Sequence, residues 1–141
     1  MKTSAKGIAL IKQSEGFRAQ AYKCPAGVWT IGYGTTAGVT PGMVVTEAEA
    51  SRLLVEHVAG IESQLNGQKL KLRQPQFDAL IDFIYNLGFG AFLRSGLLAM
   101  VRVNPENSNI PTEFRKWKIA GGKPSTGLIN RREAEIRLYF S

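Results

Sequence analysis

The sequence predicts an α+β fold that is mostly helical: a single domain over 1–141 with a small N-terminal sheet lobe and a larger helical lobe joined by a long helix. Three observations predict it. Aromatic and β-branched residues broken by glycines cluster only between Ala21 and Thr36. Apolar residues recur at helical spacing through most of the rest of the chain. A capped amphipathic run starting at Glu47 is long enough to link the two regions.

The elements follow in order. Ala5, Ile8, Ala9 and Ile11 predict a short helix from Ser4 to about Glu15, with Thr3 or Ser4 as N-cap and Gly16 as its stop. Between Ala21 and Thr36, the residues Tyr22, Val28, Trp29, Thr30, Ile31 and Tyr33, punctuated by Pro25, Gly27, Gly32 and Gly34, predict an antiparallel hairpin or meander. Thr46 and Glu49 form a capping box, and Ala50, Leu53, Leu54, Val58, Ile61 and Leu65 extend the helix for about five turns to Asn66-Gly67. Pro75 suits the first turn of the next helix, whose wide apolar arc through Phe77, Leu80, Ile81, Ile84, Tyr85 and Leu87 predicts deep burial before Gly88. Shorter helices are expected over 91–103 and 112–118, separated by the loop 104–111. A Gly121-Gly122 turn then precedes a basic last helix, Leu128 to Phe140.

At 141 residues, with 44% hydrophobic and 21% charged content, the composition is globular and excludes disorder as the main state. One cysteine excludes an internal disulfide. No apolar run approaches the roughly 18 residues of a membrane span, so no signal peptide, transmembrane segment or stable membrane insertion is expected. His57 has no second histidine or cysteine at ligand spacing, and neither metal nor cofactor is expected. The net charge is +7, concentrated at the two ends around an acidic middle, which favours an anionic partner. The tail lacks a reader motif for nucleic acid, so an anionic cell-wall polymer suits it better.

Glu15 is the only acidic side chain before Glu47. It sits at a helix C-terminus where the glycine-rich hairpin begins, and burial and the helix dipole would both favour its protonated form, as a general acid requires. Its local alternative is a solvated pair with Lys12 or Arg18. The spacing adds more. Glu15, eight residues, Cys24, five residues and Thr30 resembles the Glu/Asp/Thr triad of phage-type lysozymes, the endolysin muramidases of glycoside hydrolase family twenty-four. The stretch 27–36 resembles their hairpin, Thr46 to Leu54 the start of their interlobe helix, and Phe77 to Gly88 their core helix. Phe114, Trp117, Gly121-Gly122, the run 127–132 and Glu135 continue the resemblance.

The resemblance implies a lysozyme-like fold and cleavage of the β-1,4 bond between N-acetylmuramic acid and N-acetylglucosamine in peptidoglycan glycan strands. It implies Glu15 as general acid and Thr30 as the holder of the attacking water. Cys24 stands where the family has aspartate, and three readings follow. Its thiolate replaces the carboxylate, beside Lys23; or Glu15 works alone, as in a transglycosylase; or the chain binds walls without cutting them. The turn position before Pro25 favours a functional thiol. Either Arg131 or Arg132 is expected to approach Glu15 from the last helix. Asn86 resembles the family's cleft asparagine, suited to an N-acetyl group, and Tyr33 and Trp29 offer faces for sugar stacking or for the core. A monomer is expected, held in the host cytoplasm until a holin pore gives it access to the wall.

Overall fold

A computed structural model describes residues 1–141. Helix α1 (Ala5–Glu15) is capped by Ser4, whose hydroxyl accepts from the Gly7 N–H, and it ends at Gly16 with φ 70°. A hairpin follows, β1 (Arg18–Lys23) and β2 (Trp29–Gly32), paired antiparallel with Tyr22 opposite Thr30 and Lys23 opposite Trp29. The first strand begins three residues earlier than its pattern predicts. Arg18–Gln20 is exposed and has no apolar alternation, so its pairing leaves no period-two signature. An isolated bridge, Gln20 to Val44, extends this small lobe.

Helix α2 (Glu47–Gly67) is 21 residues long and starts with the Thr46/Glu49 box in place, each side chain reaching the other's backbone N–H. Ala50, Leu54, Val58, Ile61 and Leu65 form its buried stripe. The helix includes Asn66 and Gly67, with Gln68 as the C-cap. Helix α3 (Gln74–Leu87) carries Pro75 in its first turn and stops at Gly88, φ 91°. Its residues from Gln76 to Ile84 are all buried, so it is the axis of the helical lobe. Phe83 is the hub of an aromatic cluster, with edge contacts to Phe92, Phe114 and Trp117 at ring distances of 6.2, 5.8 and 5.7 Å.

Helices α4 (Phe89–Arg94) and α5 (Gly96–Val103) cover the expected 91–103 region. Helix α6 (Ile110–Arg115) is shifted toward the N-terminus of the expected 112–118, because Pro111 fits a first helical turn, where its missing N–H costs no hydrogen bond. The Gly121-Gly122 turn joins two-residue strands β3 (Ile119–Ala120) and β4 (Lys123–Pro124), too short to show in the sequence pattern. Helix α7 (Thr126–Tyr139) starts earlier than Leu128 because the Ser125 hydroxyl caps it at the Leu128 N–H. One continuous hydrophobic core runs from Ile31 and Tyr33 in the small lobe to Tyr139. Close contact between α1 and α3 depends on Gly7, where a Cβ would lie 2.9 Å from the Asp78 carboxyl carbon.

Candidate active site

The site is built where α1, the turn after β2 and α7 meet over α3. Glu15 is the last residue of α1, and its side chain is 21% exposed. From α7, Arg131 Nη1 donates to Glu15 Oε1 at 3.1 Å. The other side of the same guanidinium grips Asp82 on α3: Nε donates to Oδ2 and Nη2 to Oδ1, both at 2.9 Å. Burial opposes the charge of Arg131, but the Asp82 hydrogen bonds and the carboxylates of Asp82 and Glu15 outweigh it and raise its proton affinity. Asp82 is 0% exposed.

The small lobe approaches Glu15 from the opposite side. Gly34, at φ 83°, lies so close that a Cβ there would stand 3.2 Å from both Cδ and Oε2 of Glu15. The Tyr85 hydroxyl on α3 donates to the Tyr33 carbonyl, which fixes this stretch against the helical lobe. Burial raises the Tyr85 phenol well above its ordinary range, and the nearby Glu15 charge adds to the effect. Tyr85 therefore remains a hydrogen-bond donor.

Cys24 and Thr30 lie together on the hairpin. The turn closes through Cys24 N–H to the Val28 carbonyl at 2.9 Å and Gly27 N–H to the Cys24 carbonyl at 2.8 Å. The partly exposed thiol is pulled below its ordinary pKa, first by the Val28 backbone N–H, with burial opposing and with Ala26 N–H and the Thr30 hydroxyl assisting. Thr30 is 4% exposed, and its one hydroxyl proton is offered to the Val28 carbonyl at 3.0 Å or to the sulfur.

The remaining predicted residues divide. Asn86 Oδ1 accepts from Arg132 Nη2 at 2.7 Å, which leaves its amide nitrogen without a protein partner. With Gln13, Ser14, Leu128, Asn130 and Arg131 it lines a groove of about 510 Å³. Arg132 does not reach Glu15: it is 0% exposed, paired with Glu135 across 2.6 Å and set over the Phe83 ring at 5.1 Å. Of the two arginines, Arg131 is the one that approaches Glu15, and the fully enclosed Arg132 has no free face for a ligand. Tyr33 is also enclosed, 7% exposed, with Phe17 at 5.6 Å and the Lys12 ammonium at 5.2 Å from its ring. Its ring belongs to the lobe junction and is not open for sugar stacking.

The phage lysozyme family model matches residues 12–135. The chain belongs to the phage lysozyme family. The chain is 42% identical over 146 residues to an endolysin of Acyrthosiphon pisum secondary endosymbiont phage 1, covering 100% of this chain and 99% of that one. Among solved structures, the muramidase domain of SpmX from Asticaccaulis excentricus superposes with a TM-score of 0.92 at 34% identity, covering 99% of this chain and 98% of that domain. A lysozyme of phage P22 superposes with a TM-score of 0.87, also at 34% identity, covering 100% of this chain and 99% of the other. The α+β, mostly helical fold is that of these lysozymes.

Two members of the buried cluster, Asp82 and Glu135, have no role assigned by sequence reasoning. Glu135 is 0% exposed; burial and the neighbouring Asp82 hold its carboxyl well above the usual carboxylate range, against the pull of Arg132. The signal for Asp82 is its place in the apolar arc Ala79–Ile84, where a carboxylate is tolerated only with a cation brought by another element.

Proposed function

We propose that this protein cleaves the β-1,4 bond between N-acetylmuramic acid and N-acetylglucosamine of peptidoglycan, with Glu15 as its acid. The observation that carries the reading is the mounting of Glu15: a partly enclosed carboxyl fixed between Arg131 and the Gly34 main chain at the junction of the two lobes. A protonated Glu15 gives its proton to the glycosidic oxygen as the bond from C1 breaks, and the leaving sugar departs as an alcohol. Cys24 takes the place of the second carboxylate. Its thiolate offsets the positive charge that develops on the sugar ring and accepts a proton from the water that attacks C1, and proton exchange with solvent then restores the Cys24 thiolate and the Glu15 acid. Thr30, bonded within the same turn, shapes the position of that water. Asn86 offers its free amide to an N-acetyl or hydroxyl oxygen along the groove.

The test is digestion of purified peptidoglycan by the wild type, Glu15→Gln, Cys24→Ser and Cys24→Asp, with released muropeptides identified by mass spectrometry. Reducing muramic ends from the wild type and Cys24→Asp, lost in Glu15→Gln and Cys24→Ser, support the whole reading. Anhydro ends would replace hydrolysis by transglycosylation. No soluble product from several wall types would leave a binding module.

A further inference from the structure

Arg131 stands between two carboxylates, and only one of them is needed for the proposed chemistry. Asp82 is buried, occupies both the Nε and Nη2 sides of the guanidinium, and leaves only Nη1 for Glu15. A lone arginine facing Glu15 would strongly favour the carboxylate form and work against an acid that must carry a proton. An arginine already engaged by Asp82 presents a nearly neutral ion pair.

We propose that Asp82 is a positioning residue which, acting through Arg131, aims the guanidinium at Glu15 and weakens its hold on the Glu15 anion. This rests on the reading of Glu15 as the general acid. The charged and titratable groups around the pair are few. From α7 come Arg131 and Glu135, with Arg132 on the far side of Glu135; from α1, Glu15 itself; and from α3, Tyr85 beside Asp82. Tyr85 stays neutral through its high proton affinity. Glu135 is bonded to Arg132, and burial and Asp82 hold its carboxyl above the usual range, so the carboxyl that Arg131 grips on its inner side is Asp82.

The sign follows. Asp82→Asn keeps the shape and one acceptor oxygen but removes the anion, so Arg131 turns its uncompensated charge on Glu15 alone. Glu15 then loses its proton more readily, and the alkaline limb of kcat moves to lower pH. A movement of about one pH unit, equivalent to about 1.4 kcal/mol, leaves activity about tenfold lower on the alkaline side and unchanged on the acid side. The experiment records muropeptide release across pH for the wild type, Asp82→Asn and the smaller neutral Asp82→Ser, each alone and combined with Glu135→Gln to stop that neighbour from ionising in place of Asp82. Thermal unfolding of each variant is followed at the same pH values.

A limb shifted to lower pH in either neutral variant supports the proposal. An unmoved limb, with activity either intact or reduced equally at every pH, overturns it and leaves Asp82 a structural anchor. An inactive wild type would refute the function itself, which the wild-type digestion alone decides. If neither Asp82 variant folds, Arg131→Gln gives the converse reading: with the cation removed, the limb must move to higher pH, and a shift to lower pH overturns the proposal.

Discussion

Gly34→Ala separates the positioning of Glu15 from its chemistry, because it leaves every polar group in place. Two costs can be worked from the structure. At φ 83° an alanine takes a conformation that L side chains disfavour by about 1–2 kcal/mol, which for a chain of this size lowers Tm by roughly 3–7 °C. The new Cβ would also lie 3.2 Å from Cδ and Oε2 of Glu15 and 3.4 Å from Oε1, so the carboxyl must retreat by a few tenths of an ångström. That retreat strains the 3.1 Å bond from Arg131. A displacement of about 1 Å in a reacting group costs roughly a hundredfold in rate, so a fraction of that predicts a loss of about tenfold in kcat. Gly38→Ala is the control: its φ is 70°, but nothing lies within 4 Å of the added carbon. Calorimetry and initial rates of muropeptide release should show similar Tm losses for both and a kcat loss for Gly34→Ala alone. Equal kcat in the two variants would refute the claim that the Gly34 main chain positions Glu15.

Three further outcomes are expected. Glu135 has a raised folded-state pKa, so the folded chain keeps a proton that the unfolded chain has lost; its stabilising contribution is full below the ordinary glutamate range and falls as pH rises through the folded value. Glu135→Gln should therefore flatten the decline in urea midpoint as pH rises above the ordinary glutamate range, and an unchanged slope would contradict the assignment. Thr46→Ala removes the α2 cap and should cost about 1 kcal/mol in urea unfolding without changing kcat. With a net charge of +7, clearing of whole walls should weaken when salt rises from about 0.05 to about 0.3 M, whereas cleavage of a short uncharged glycan should not.

What the sequence makes legible is local. The Thr46/Glu49 box, Pro75 in a first turn and the glycines after α1 and α3 act within a few residues of themselves, and the elements they bound stand where those signals put them. The Cys24 turn is local too, because its donors, Val28, Ala26 and Thr30, lie within six residues of it. Asp82, Arg131 and Glu15 are different. Their network spans 116 residues of chain, and each side chain has an ordinary solvated alternative until α3 and α7 are packed together. Burial changes those alternatives: once water is excluded, one carboxylate and one guanidinium per site are no longer optional partners.

The choice between Arg131 and Arg132 shows how a nonlocal question can still have a local answer. Successive helical residues are turned by about 100°, so two neighbouring arginines cannot serve the same face. Arg132, Glu135, Ile136 and Tyr139 fall at helical spacing, and all four are buried, so Arg132 belongs to the inward stripe of α7. There its guanidinium donates to Glu135 and its flat face rests on Phe83. Arg131, one position round, emerges at the rim of that stripe, with Asp82 on its inner side and Glu15 on its outer. The phase is set by Ile136 and Tyr139, apolar residues with no part in catalysis, and moving the stripe by one residue would exchange the two arginines. The acid at the end of α1 thus depends on the hydrophobic register of α7, through a cation whose direction that register fixes.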